Sequence, residues 1–130
     1  MKRLSFLAMA VAAAISLQAK DIVVNTPNTT LLLRTSENQP VHISYYGERV
    51  ENLHQVYNAY SLWQPAYPAF GAGCQEIPAL SVKHADGNMS TELVYQSDTE
   101  TSEANATVYT ITMKDKAYDF FVDVCYRAYN

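Results

Sequence analysis

His84, Asp86 and Asn88 stand within five positions of one another in the stretch "HADGNMSTELVY" (84–95). An imidazole next to a carboxylate is the pairing that general acid–base and nucleophilic catalysis use, because one group orients or charges the other. The same stretch contains Asp-Gly and Gly-Asn steps, which permit positive φ and build a hairpin turn with no chemistry at all. On the residues alone the turn is the preferred reading. His42 and His54 lie in other segments with no second ligand at metal-binding spacing, so no zinc site is predicted. The chain contains no G-x-S-x-G, H-E-x-x-H or Gly-rich phosphate loop, and nothing in it asks for a cofactor. Asp98, Glu100 and Glu103 fall in "SDTETSEANAT" (97–107), whose composition reads as a solvated acidic loop.

The elements that would position these residues are strands. β-branched and aromatic residues alternate with polar ones over Asp21–Val24, Thr29–Thr35, Val41–Tyr46, Ala79–His84, Thr91–Gln96, Ala106–Lys114 and Asp119–Tyr126. In the third of these, Val41, Ile43 and Tyr45 are expected on one face. Val50, Leu53, Val56, Tyr57 and Tyr60 recur at helical spacing and predict a short helix or helical turn. Between Ser61 and Pro78 there is little periodicity, which predicts a long loop that is functional or packed down on the domain. Asp115 to Tyr118 has the length of a hairpin connection. Consecutive antiparallel strands with almost no helix predict an all-β fold, an antiparallel β-sandwich.

The first nineteen residues differ from the rest: Lys2 and Arg3 precede an apolar run from Leu4 to Leu17, and Gln18-Ala19 leads into polar Lys20-Asp21. This is the layout of a signal peptide cleaved after Ala19, too short to span a membrane, and it predicts export to the periplasm or the medium. Loss of Lys2 and Arg3 takes the formal charge from −4 to −6, which argues against nucleic acid as a partner. Residues 20–130 then form one domain. The strand-like C-terminal run "YDFFVDVCYRAYN" predicts a sheet, and a longer parent chain, that continue past Asn130. Ten tyrosines and Trp63 suit the half-buried faces of strands, and some of them could stack on sugars. Cys74 and Cys125, the only cysteines, either pair in an oxidising compartment or stay as separate thiols.

Three segments in order, "YYGERV" (45–50), "YPAFGAG" (67–73) and "HADGNMSTELVY" (84–95), resemble the N-terminal β-sandwich domain of glycoside hydrolase family 36 α-galactosidases. The resemblance covers about residues 29 to 127. It implies an N-terminal super-sandwich ahead of a (β/α)8 barrel that hydrolyses terminal α-galactosides with retention, using two barrel aspartates as nucleophile and general acid/base. The family's nucleophile lies in a Lys-Trp-Asp motif, which this chain does not contain; Trp63 sits in Leu62-Trp63-Gln64. The resemblance therefore implies that the chain holds no catalytic residue and that its partner is the barrel of its own parent chain, within an enzyme that can be a homo-oligomer. It also makes the loop before "YPAFG" the candidate rim of a sugar site, with Trp63 and Tyr67 as the stacking candidates, although packing of that loop against the sheet is the preferred reading. Many members carry an acidic residue in that loop, whereas no Asp or Glu occurs here between Glu51 and Glu76. Cys74 and Ile77 are further local departures from the family pattern. A free-standing carbohydrate-binding module and a secreted structural β domain are the alternative readings.

Overall fold

The computed structural model describes residues 19–56, 64–71, 73 and 77–130. Two antiparallel sheets make up the fold. The first has the order β1–β2–β3–β4, from β1 (Lys20–Asn25), β2 (Thr29–Thr35), β3 (His42–Glu48) and β4 (Gln64–Pro65). The second has the order β5–β6–β7, from β5 (Leu93–Ser102), β6 (Ala106–Asp115) and β7 (Phe121–Tyr129). The core joins them: Ile22 and Leu33 from the first sheet, with Val41 just ahead of β3, cluster with Leu93, Ile111 and Met113 from the second, and Ala69 belongs to the same cluster. Burying side chains such as Leu33 and Ile111 contributes ~2 kcal/mol each, the main attraction between the sheets. The expected all-β class is therefore the observed one.

Two irregularities decide which side chains face the core. β2 and β3 shift register between Leu32 and Leu33, so Leu33 opposes Ile43 while Leu32 opposes Tyr45. Ser44 is the extra residue of that bulge. Ile43 and Tyr45 consequently lie on opposite faces, contrary to the simple alternation expected of Val41–Tyr46, because a bulge reverses the period-two pattern. The second shift falls in β5 at Gln96, where Tyr95 opposes Met113 and Asp98 opposes Ile111. Both Tyr95 and Asp98 thus point to the inner face.

That second bulge corrects the acidic-loop expectation. β5 runs through the stretch as far as Ser102, and Asp98 accepts hydrogen bonds from Lys20 Nζ and the Tyr95 hydroxyl. Lys20 Nζ also reaches Tyr95 Oη at 3.1 Å. As far as Ser102 the segment is exposed apart from Asp98, as its composition suggests, but it is a strand and not a loop: the threonines at 99 and 101 sustain it, and the aspartate has a cation on the facing sheet.

Three further expectations change. Ala79–His84 is not a strand: its contact with "YPAFG" is a single parallel bridge, Ala69 to Leu80, and the Ala79 N–H bonds the Pro68 carbonyl at 2.9 Å. The helical spacing after Arg49 yields a 3-10 turn at Leu53–Gln55, capped by the Asn52 side chain, which accepts from the His54 N–H at 3.1 Å. Tyr57 and Tyr60 lie outside the described residues. The expected loop from Ser61 includes β4, where Gln64 and Pro65 pair with Ile43 and His42.

Candidate functional site

Two of the three segments that carry the resemblance meet at one corner of the fold. Gly71 of "YPAFGAG" forms a parallel bridge with Thr91 of "HADGNMSTELVY", and the Thr91 N–H bonds the Phe70 carbonyl at 2.9 Å. Gly71 has φ +99°, and a Cβ there would lie 2.6 Å from Ser90 Cα, so two backbones touch at a point that admits no side chain. The β6–β7 connection closes the corner from the other side. Asp115, 2% exposed, accepts from the N–H groups of Glu92 (2.9 Å), Ala117 (2.8 Å) and Tyr118 (2.9 Å). Lys116 adds a backbone bond to the Glu92 carbonyl and an ammonium contact with the Glu92 carboxylate at 2.8 Å. A cavity of about 170 Å³ remains, lined in part by Gly71, Asn88, Thr91 and Asp115.

His84, Asp86 and Asn88 form the turn beside it, and of the three Asn88 lines the cavity. The His84 N–H bonds the Asn88 carbonyl at 2.8 Å, the Gly87 N–H bonds the His84 carbonyl at 2.9 Å, and Gly87 has φ +89°. Asp86 accepts from the Asn88 N–H at 2.9 Å, the side-chain closure typical of an Asx turn. The turn predicted from Asp-Gly-Asn is therefore present, although its flanks are irregular and not the two strands of a hairpin. Tyr118 fastens it down. Its ring stacks on His84 with centroids 3.6 Å apart and planes 8° from parallel, and its hydroxyl donates to Asp86 at 2.7 Å and accepts from Asn88 Nδ2 at 2.9 Å.

The chemistry of this constellation is that of a fastener. Hydrogen bonds from the Asn88 backbone and the Tyr118 hydroxyl hold the Asp86 carboxyl below its ordinary value, and the bond to Asp86 pushes the Tyr118 hydroxyl up. Each group is driven further from neutrality, whereas acid–base catalysis at neutral pH needs a group brought toward it. The third segment is a fastener too. In "YYGERV" the Tyr45 hydroxyl donates to the Glu48 carbonyl at 2.9 Å, Arg49 Nη1 donates to the Thr26 carbonyl at 2.8 Å, and the Val50 N–H bonds Thr30 Oγ1 at 3.0 Å. Asp115 was the residue that local pattern reading missed. Its signal was its place at the first position of a hairpin connection, where a short carboxylate reaches the next N–H groups.

The remaining candidates are spread out. Tyr67 is half-buried and packs against the core cluster. Trp63 and Cys74 lie outside the described residues. Cys125 is an exposed free thiol on β7, 3.6 Å from Thr110 Oγ1. A second cavity, about 360 Å³, opens beside Arg34, Gln39 and His42; burial pushes the His42 imidazole down. Among the described residues no group of three or more His, Cys, Asp or Glu side chains could hold a metal ion.

Solved structures share this architecture. The galactosidase domain of the α-galactosidase–sucrose kinase AgaSK superposes with a TM-score of 0.70 at 20% identity, over 85% of this chain and 20% of that one. An α-galactosidase from Lactobacillus brevis gives 0.67 at 18% identity, over 84% and 19% of the two chains. A variant of the family 36 α-galactosidase AgaA from Geobacillus stearothermophilus, solved with stachyose, gives 0.70 at 18% identity, over 85% and 20%. The present chain thus spans about a fifth of the length of these proteins. No curated protein sequence matches it. The family model described as "Glycosyl hydrolase family 36 N-terminal domain" matches residues 33–130, which take in all three motifs and the whole second sheet, and on that match the chain belongs to this family of N-terminal domains.

Proposed function

We propose that the chain is the non-catalytic N-terminal part of an exported, retaining α-galactosidase, and that it braces the barrel in which terminal α-galactosides are hydrolysed. The observation that carries this reading is the family match over residues 33–130. Two features agree with it. The leader-like residues 1–19 suit export. Phe70 and Met89, which come from the two motifs that build the corner, are 45% and 44% exposed. Apolar side chains gathered on loops mark a surface made to be covered. Trp63, in the loop before "YPAFG", and Tyr67, the first residue of that motif, are the proposed contacts to a sugar at the rim of the barrel.

The test is to read the coding sequence past Asn130 and produce the full protein with and without residues 20–130. The expected result is a downstream barrel with a Lys-Trp-Asp motif, and loss of soluble galactosidase activity on deletion. A barrel that keeps its activity and melting temperature without residues 20–130 would overturn the bracing role. In the intact enzyme, Trp63→Ala should raise KM for raffinose more than it lowers kcat.

A further inference from the structure

Beside the β2–β3 hairpin the chain builds a pocket that the corner does not use. Register sets Asp21 beside Arg34, and Arg34 beside His42, on three neighbouring strands. One position further along, Ile22 and Leu33 belong to the core cluster and Ile43 packs against it. Alternation therefore turns Asp21, Arg34 and His42 to the opposite, outer face. A carboxylate, a guanidinium and an imidazole stand there in a row, each about 5 Å from the next. A cavity of about 360 Å³ opens beside the row, lined by Arg34, His42, Ser44 and, from the hairpin, Ser36, Gln39 and Pro40. Its size falls in the range of sites for small organic molecules. Ala19 also lines it and would leave with the leader, which widens the opening and removes none of the groups just named.

The walls are held before any ligand arrives. Arg34 Nε donates to Asp21 Oδ1 at 2.8 Å, which fixes the plane of the guanidinium. The hydroxyl of Thr35, 4% exposed, lies 3.2 Å from the Ser36 carbonyl and 3.3 Å from those of Gln39 and Pro40. The Gln39 N–H bonds the Ser36 carbonyl at 3.0 Å, and the Gln39 carbonyl accepts from the Tyr95 N–H on β5 at 2.9 Å. Walls fixed in advance leave little ordering cost to binding.

The charge balance selects the class of ligand. Asp21 offsets Arg34, and burial pushes the His42 imidazole down, so at neutral pH that ring is uncharged, with one donor and one acceptor. A phosphate or sulfate would enter without a countercharge from the row, at a cost in desolvation. What lines the pocket is a set of donors and acceptors at fixed spacing, with the Pro40 ring as an apolar wall. Hydroxyls around a ring that has C–H groups on its faces match that mixture. We propose that this pocket binds a neutral sugar, with the Arg34 fork and the Gln39 amide bonding ring hydroxyls and Pro40 packing against the ring. The proposal goes beyond the galactosidase reading and does not rest on it. A chain that binds no sugar here leaves the family match and the bracing role standing.

The experiment uses the isotope-labelled chain begun at Lys20 and follows its amide resonances while galactose, glucose and inorganic phosphate are titrated in turn. At least one sugar should give saturable shifts gathered at Arg34, Ser36, Gln39, His42 and Ser44, and phosphate should give none there. Gln39→Ala removes one amide, keeps the Asp21–Arg34 pair and should weaken binding about five- to tenfold. Arg34→Lys keeps a cation for Asp21 but loses the planar fork, and should weaken it at least as much. Amide dispersion matching the parent's establishes that a variant folds; where Arg34→Lys does not, Gln39→Ala decides, and where neither does, the parent's own shift map decides. No saturable shift with either sugar overturns the proposal. So do sugar shifts that leave these amides unmoved or keep full strength in Gln39→Ala, and so does saturable phosphate binding at the same amides, which would make the pocket an anion site. In the full parent protein, the sugar that binds should slow hydrogen exchange over residues 34–44. Protection there that is indifferent to sugar would mean that another part of the parent covers the pocket, and would overturn the proposal equally.

Discussion

At the scale of single residues, two side-chain facts hold the corner together. Gly71 sits where the backbones of two motifs meet, at φ +99° and with Ser90 Cα 2.6 Å from any added Cβ. Gly71→Ala meets both strain and overlap and should lower stability by about 3 kcal/mol. Gly87 also has positive φ, but nothing lies within 4 Å of its Cβ position, so Gly87→Ala should lose only about 1 kcal/mol. Urea titration of the two variants gives the comparison directly; equal losses would mean that the contact with Ser90 carries no weight. Asp115→Ala strands three N–H groups and should cost about 3 kcal/mol. Asp115→Asn should cost less. Its remaining carbonyl oxygen still serves Ala117 and Tyr118, and only the Glu92 N–H loses its acceptor. The Asp-Gly-Asn turn was legible in the sequence because its cause is local. The burial of Asp115 was not, since it depends on Glu92, 23 positions away.

At the scale of elements, β2 and β6 were readable almost to their ends, because β-branched and apolar residues dominate both and turn formers flank them. β3 and β5 were readable as strands but not in their facing. A bulge is one extra residue, and nothing in "HISYYGE" or "LVYQSDTETS" announces which residue is extra. The bulge in β5 brings Tyr95 and Asp98 to the same face and so ties β5 to Lys20 on β1. Burial pushes the Asp98 carboxyl up, but hydrogen bonds from Lys20 and Tyr95 outweigh it and hold the group below its ordinary value; the bond to Asp98 raises Lys20. A carboxyl depressed on folding contributes stability above its unfolded value and loses it as pH falls through the folded one. A raised ammonium contributes below its unfolded value and loses it as pH rises through the folded one. The tie therefore operates between roughly pH 4 and pH 10. Asp98→Asn should lower stability at pH 7 by about 1 kcal/mol, a figure typical of a partly exposed ion pair. The gap from the parent should narrow below about pH 4. A gap that stays constant down to pH 2 would show that the charge on Asp98 contributes nothing.

At the scale of the whole molecule, family membership was legible in three short motifs, and the structure supplies their common cause. Each motif fastens a crossing of the chain, and the residues that resemble the family are those that fix loop against loop. His84 and Asp86 belong to such a fastening. The purified 130-residue chain should accordingly release no nitrophenol from a nitrophenyl α-galactoside. Turnover proportional to chain concentration, and lost in a His84→Ala variant, would return the corner to the list of active sites. The exposed apolar loops at the corner should make the isolated chain less soluble than a whole family 36 enzyme.

The position of Lys20 has a practical consequence for where the folded protein must start. It is the first residue of β1 and opposes Thr35, and its ammonium reaches the facing sheet. A recombinant chain begun at Asp21 keeps every other strand residue but lacks this tie between the sheets, whereas one begun at Lys20 retains it. Chains differing by one N-terminal residue should therefore separate into two melting populations, and a mass spectrum of the N-terminus would assign each population to its start.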